Sequence, residues 1–199
     1  MMADHGEKIS LEFPPFDKMA THSLRTLLPP IATVSNPLDY TTPIWGQPEI
    51  TAQVFETAIA AQKADATVLV QDYPAAGLDE SKVYYANDAA AFGGAAKKLG
   101  VPAAICSTLP ENLDQETRET LITNGIAPMQ GIHECLHAIK QASLWTQARD
   151  RILKFPLPAL SKCGNTVSDG RYMNEADGKA ILSRAGIPVP TGRLVKGAD

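Results

Sequence analysis

The sequence predicts an α/β protein: a doubly wound parallel sheet of about four to five strands, followed by a helix–strand extension. Three observations carry this. Short apolar runs, too brief for helices, recur at 32–36, 66–72, 101–107 and 125–129. Stretches of helix length with recognisable ends separate them. The runs are mostly continuous rather than alternating, as strands covered on both faces require. Repeated strand–helix units of this kind wind in the right-handed sense.

Residues 1–31 read as a lead-in segment with one helix around "MATHSLR". The main domain spans 32–149 and opens with the strand-like "ATVSN". In "QPEITAQVFETAIAAQKAD", Pro48 and Glu49 fall in a first helical turn, where a missing N–H costs nothing and a negative charge meets the dipole. The strand "ATVLVQD" follows. The next helix, in "DESKVYYANDAAAFGGAAKKLG", ends on two lysines and Gly100. Its Gly93-Gly94 pair weakens a helix and implies close packing on the sheet. "VPAAICS", a short acidic-start helix closed by Asn124-Gly125, and "GIAPM" lead to a last helix from Gly131 to about Arg149. Residues 150–170, proline-bearing and aperiodic, read as a linker. Residues 171–199 hold one capped helix, Asn174 to about Ala185, and a proline-flanked strand, "IPVPTGRLV". That is too little to bury a core alone.

Bulk properties narrow the function classes. The net charge of −4 and the lack of a Lys/Arg run exclude a basic nucleic-acid footprint. No apolar run reaches the roughly 18 residues of a membrane span, and "MMADHGEK" lacks the basic start and apolar stretch of a secretory leader. Cys106, Cys135 and Cys163 are scattered with no C-x-x-C pair, which fits reduced, buried thiols in a cytoplasmic protein.

The stretch "GIHECLHAIK" spells His133-Glu134-x-x-His137, the pattern of a zinc-hydrolase helix. The apolar stripe Ile132, Leu136, Ile139 places both histidines on the flank of a sheet-covering helix. The extended zinc pattern fails at Lys140 and Ser143, and no third ligand follows. A solvated helix flank is the better reading, zinc hydrolysis a remote alternative, and no metal site is expected.

In such sheets ligands bind beyond the carboxyl ends of the strands, which points to "NPLDYTTPIWGQ", "DYPAAGLDES" and "STLPENL". The first ends on a helix N-terminus, whose free N–H groups favour phosphate. The candidate phosphate-binding residues are Asn36, Asp39, Tyr40, Thr41, Thr42 and Gly46. Thr41 and Thr42 would donate hydroxyls, while Asn36 and Asp39 would orient the loop. An ordinary turn, with Asp39 satisfying backbone amides, explains the same residues.

Three segments, in order, carry a resemblance. "LEFPPFDKMATHSLRTLLPPIATVSNPLDYTTPIWG" resembles the entry to the third subdomain of the NDP-forming acyl-CoA synthetases, relatives of succinyl-CoA ligase, with its "LPP" and N-P-V/L-D motif. "GVPAAICSTLPENLDQETRETLITNGIAPMQGIHECLHAI" is similar to the later half of that subdomain. "NEADGKAILSRAGIPVPTGRLV" is similar to the start of the ATP-grasp domain that follows in fused enzymes. The resemblance implies a flavodoxin-like domain at 32–149 and the beginning of an incomplete ATP-grasp domain at 171–199. It implies a ligase joining acid and CoA at the expense of NTP, through a phosphohistidine that the flavodoxin-like subdomain steadies with a helix N-terminus. Loop for loop, Pro74, Ala75, Ala76 and Gly77 would lie at the acyl/phosphate pocket. Neither His5 nor His22 has the glycine-rich context of the family's phosphohistidine, so no catalytic residue is assigned in this chain. ATP or GTP, Mg2+ and CoA are expected of the full enzyme and none of this chain alone. The expected partners are CoA-binding and ATP-grasp domains or subunits, with an oligomer favoured by the apolar surface of a severed domain. The competing class is a stand-alone flavodoxin-like binding or regulatory module without catalysis.

Overall fold

The computed structural model describes residues 2–74, 77, 80–155, 172–192 and 195. It divides into two compact units, residues 1–156 and 157–199. The first contains helices α1 (Met2–Lys8), α2 (Lys18–Leu27), α3 (Pro48–Gln62), α4 (Lys82–Leu99), α5 (Gln115–Thr123) and α6 (Ile132–Lys154), and strands β1 (Thr67–Val70), β2 (Ala103–Ser107) and β3 (Ala127–Gln130). The strands form a parallel sheet in the order β1-β2-β3, with Leu69 beside Ile105 and Cys106 beside Met129. This is the α/β class that the apolar runs predict, in the flavodoxin-like form that the resemblance implies, with three strands among the described residues instead of four or five.

The strand expected at 32–36 is absent. Ala32, Val34, Leu38 and Tyr40 keep a two-residue period, but they pack on Leu24, Leu28 and Val54 of the α2–α3 side. The segment is extended and spends its apolar face on helices, so it never enters the sheet. The last helix of the unit also runs five residues beyond the expected Arg149, to Lys154.

Each face of the sheet buries its own core. On one, Leu69 and Ile105 meet Phe55 and Ile59 of α3, Phe92 and Ala96 of α4, and Leu121 of α5. On the other, Ala104 and Cys106 meet Cys135 and Leu136 of α6, with Ile9, Leu11 and Phe13 of the lead-in beside them. The thiols of Cys106 and Cys135 are both buried and free, the packing role expected of them. Cys163 lies outside the described residues. Of the glycine pair in α4, Gly93 does sit tight: a Cβ there would collide with Ile126. Gly94 has open space around it.

In the second unit α7 (Glu175–Arg184) starts on Asn174, whose side chain accepts from Asp177 N at 2.8 Å. This is the cap its sequence predicts. The strand expected after it does not form across residues 187–192. Pro188 and Pro190 remove alternate donors from that stretch.

Candidate functional site

In a parallel α/β unit, the helix after a strand starts where the strand ends, so α4 begins at the carboxyl rim of the sheet. The second turn of α4 carries Asp88, fully buried. Its carboxylate accepts from the Tyr40 hydroxyl at 3.0 Å and from Gly46 N at 3.1 Å. These two bonds fasten the loop that sequence reasoning singled out to the rim, and with it the start of α3. Burial raises the pKa of Asp88, and hydrogen bonds from Tyr40, Gly46 and Thr51 oppose the rise.

Around this carboxylate lies a polar and aromatic network. Tyr73 donates to Gln71 Oε1 at 3.0 Å, and Gln71 Nε2 donates to the Tyr85 carbonyl at 3.3 Å. Trp45 meets Tyr85 edge-on at 4.5 Å between centroids, and Tyr40 meets Phe55 at 5.2 Å. Burial first, then the negative charge of Asp88, pushes the Tyr40 and Tyr73 hydroxyls well above the usual phenol range. Neither is a ready proton donor at neutral pH.

The third rim loop joins through Asp72. It accepts from Thr108 N and Oγ1 at 2.8 and 2.7 Å and from Asn112 Nδ2 at 3.1 Å. Burial pushes its pKa up, but these hydrogen bonds outweigh burial and hold it below the usual carboxylate value. Lys82, at the start of α4, reaches Asp114, the N-cap of α5, at 2.7 Å.

The sequence-predicted residues therefore fall into distinct positions. Tyr40 and Gly46 are held by Asp88. Asp39 accepts from Thr41 N at 3.0 Å, a local turn bond. Asn36 donates to the Pro14 carbonyl at 3.0 Å and so is committed to the lead-in segment. Thr42 begins a short 3-10 turn, Thr42–Ile44, and is exposed. Thr41 Oγ1 is buried with no hydrogen-bond partner at the start of that turn, and the α3 N-terminus further on carries no side-chain cap. Pro74 is half-buried and Gly77 exposed, while Ala75 and Ala76 lie outside the described residues. Gly46 has a positive φ of 72°, and a Cβ would strike the Tyr84 side chain. Asp88 escaped sequence reasoning. The available signal was a lone carboxylate inside the small, apolar run "YYANDAAAF".

The histidine pair of α6 gains an unforeseen neighbour. The α1 helix brings His5 to 3.6 Å from His133 and 5.4 Å from His137, centroid to centroid. The His5 and His133 rings lie at 33°, closer to stacked than to converging on a point. Among the described residues no group of three or more His, Cys, Asp or Glu side chains is arranged to hold a metal ion. Glu134 folds back over Gly131, the N-cap of its own helix. That is the place of a first-turn acid complementing the dipole.

No protein-family model and no curated protein matches the sequence. Among solved structures, the chain is similar to PH0766 from Pyrococcus horikoshii OT3 at 22% sequence identity and a TM-score of 0.58. The match covers 75% of this chain and 33% of that one, so the chain matches about a third of its length. At this identity the likeness shows a shared fold.

Proposed function

We propose that this chain is the flavodoxin-like part of an NDP-forming acyl-CoA ligase, working in a reaction that joins an acid to CoA as NTP becomes NDP and phosphate. In this reading the phosphorylated histidine belongs to another subdomain. CoA, ATP or GTP and Mg2+ are held by the neighbouring CoA-binding and ATP-grasp parts. The share of this chain is to present the first turn of α3 to the travelling phosphoryl group, with Pro74–Gly77 beside the acyl pocket.

The observation that carries the reading is the α3 N-terminus, which has no side-chain cap, together with the unpartnered hydroxyl of Thr41 in the loop that leads to it. The Gln47 amide bonds to the Ile44 carbonyl, and those of Ile50 and Thr51 to the Gln47 carbonyl, so the donors a phosphate would take up are Glu49 N and the Thr41 hydroxyl. The ordered resemblance of three segments supports the reaction class, and the shared fold with PH0766 supports the scaffold.

A second reading, the non-catalytic module, draws on Asp88. The loop already holds one buried anion of its own, at Gly46 N, which a phosphate at the same amide would meet as like charge. Titration of inorganic phosphate, followed at the backbone amides of Gln47, Glu49, Ile50 and Thr51, separates the two. The ligase reading expects shifts centred on that turn and affinity lowered about fivefold or more, some 1 kcal/mol, when Thr41 and Thr42 are both replaced by valine. Unchanged affinity, or no shift, leaves the loop as a plain turn and favours the module.

A further inference from the structure

The α1 helix has seven residues, too few to hold a helix by itself in water, so its order depends on what it rests on. Its end is self-contained: Leu11 N donates back to the Gly6 carbonyl at 2.8 Å, and Ser10 turns the chain with a positive φ of 59°. Gly6 lies against the Phe13 ring, where a Cβ would collide. Past that turn the lead-in is pinned, because the Pro14 carbonyl accepts from Asn36 at 3.0 Å. Met2 and Ile9 pack on the apolar cluster that α6 forms with β2. The polar side of the docking is an imidazole cluster. The His5 ring stands 3.6 Å from that of His133 and 5.4 Å from that of His137, and its Nε2 is buried without an acceptor among the described residues. A charged imidazole carries two N–H donors. Protonation of His5 would therefore leave a buried donor unpaired and set positive charge against two further histidines.

We propose that α1 is a pH-operated latch: it closes on α6 while His5 is neutral and comes off when the imidazole cluster takes up protons, drawing Met2 and Ile9 away from the apolar cluster beneath. Histidine is the side chain whose charge changes between about pH 8 and pH 5. The charged and titratable groups that face His5 are Lys8 on its own helix and His133, Glu134 and His137 on α6. Burial first, then His133, His137 and Lys8, holds its pKa below the ordinary 6.5, and Glu134 works the other way. The Glu134 carboxylate is folded over Gly131, at the start of its own helix. Lys140 also ties α6 to the Ser10 carbonyl at 3.0 Å, but that bond is exposed and water competes for both groups. The core on the opposite face of the sheet includes no residue of the lead-in. The latch can therefore open, with its hinge between Ser10 and the pinned Pro14, while α3 and α4 stay packed.

The test uses the full chain at about pH 7.5 and pH 5.5, on either side of the histidine range. Amide protection factors, corrected for intrinsic exchange, are read at Ile9, Ser10 and Leu11, which bond back into α1, and across α3 and α4. The α1 set is expected to lose roughly fivefold or more of its protection at the lower pH, while α3 and α4 keep theirs. His5→Phe keeps an aromatic ring against His133 and removes the proton site, so its α1 protection is expected to be the same at both pH values. Unchanged protection in the natural sequence overturns the proposal. So does an equal drop in α3 and α4, which would be loosening of the whole unit. A drop that persists in His5→Phe also overturns it, since another group would then carry the effect. Should His5→Phe leave α1 undocked at both pH values, the double variant His133→Gln, His137→Gln takes the charge from the α6 side and decides instead. Protection that stays level in that variant supports the latch, and protection that still falls at the lower pH overturns it.

Discussion

Asp88 is the residue on which the rim depends. It is a carboxylate taken out of water, and hydrogen bonds from Tyr40 and Gly46 compensate it. Asp88→Ala leaves two buried donors unpaired while removing one desolvated charge. The expected net loss is about 2 kcal/mol, read by urea unfolding. Loosened tyrosine packing, seen in the near-ultraviolet circular dichroism, should accompany it, and a loss below 0.5 kcal/mol would contradict the role given to it. Gly46→Ala acts on the same loop through sterics, combining a positive φ of 72° with a Cβ set against Tyr84. It should cost about 1–2 kcal/mol. Both residues show how a loop chosen for ligand chemistry is occupied first by its own structural needs.

The docking of α1 on α6 makes a pH-dependent contact at the scale of elements. His5 is half-buried, and its Nε2 has no hydrogen-bond partner. Desolvation first, then His133, His137 and Lys8, lowers its pKa below the ordinary 6.5, while Glu134 works the other way. Between its folded value and 6.5 the docked state therefore binds fewer protons than the undocked one. The contact is strongest above about 6.5 and weakens as pH falls through the folded value. Proton NMR of His5 should give a midpoint below 6.5, with α1 amides showing lower protection factors, corrected for intrinsic exchange, at pH 5 than at pH 7. A midpoint at or above 6.5 would remove the argument. The spelling His133-Glu134-x-x-His137 thus finds its neighbours in packing: an imidazole cluster on one side and a helix start on the other.

For the whole first unit, acid stability follows the rim carboxylates. Lys82 first, then the Thr117 amide, lowers Asp114 to about 2 from the ordinary 3.8. Its contribution is complete above 3.8 and lost as pH falls through about 2. Asp72 is lowered in the same direction, whereas Asp88 is raised and takes up its proton early, blunting the loss. Asp114→Asn keeps a capping side chain but removes the charge. It should flatten the decline in unfolding free energy between about pH 4 and pH 2, measured by urea midpoints across that range. An unchanged slope would show that the Lys82–Asp114 tie contributes nothing.

Much of the scaffold was legible in local pattern. The runs at 66–72, 101–107 and 125–129 are strands, and the capped or lysine-ended stretches between them are helices, because period and end chemistry act within a few residues. The loop before Pro48 was legible as a rim loop for the same reason. Other features depend on residues distant in sequence that only the folded chain brings together. Asp88 reaches across 48 positions to Tyr40, His5 meets His133, and residues 32–36 pack on helices instead of a sheet. The sequence determined the central strands and the helices around them, but not α1 (Met2–Lys8), in a lead-in where it predicted one helix and the structure has two. Tertiary structure alone decided which carboxylate holds the loop, what the histidines touch and where residues 32–36 pack, because burial and hydrogen-bond partnership are properties of contacts, not of neighbouring residues.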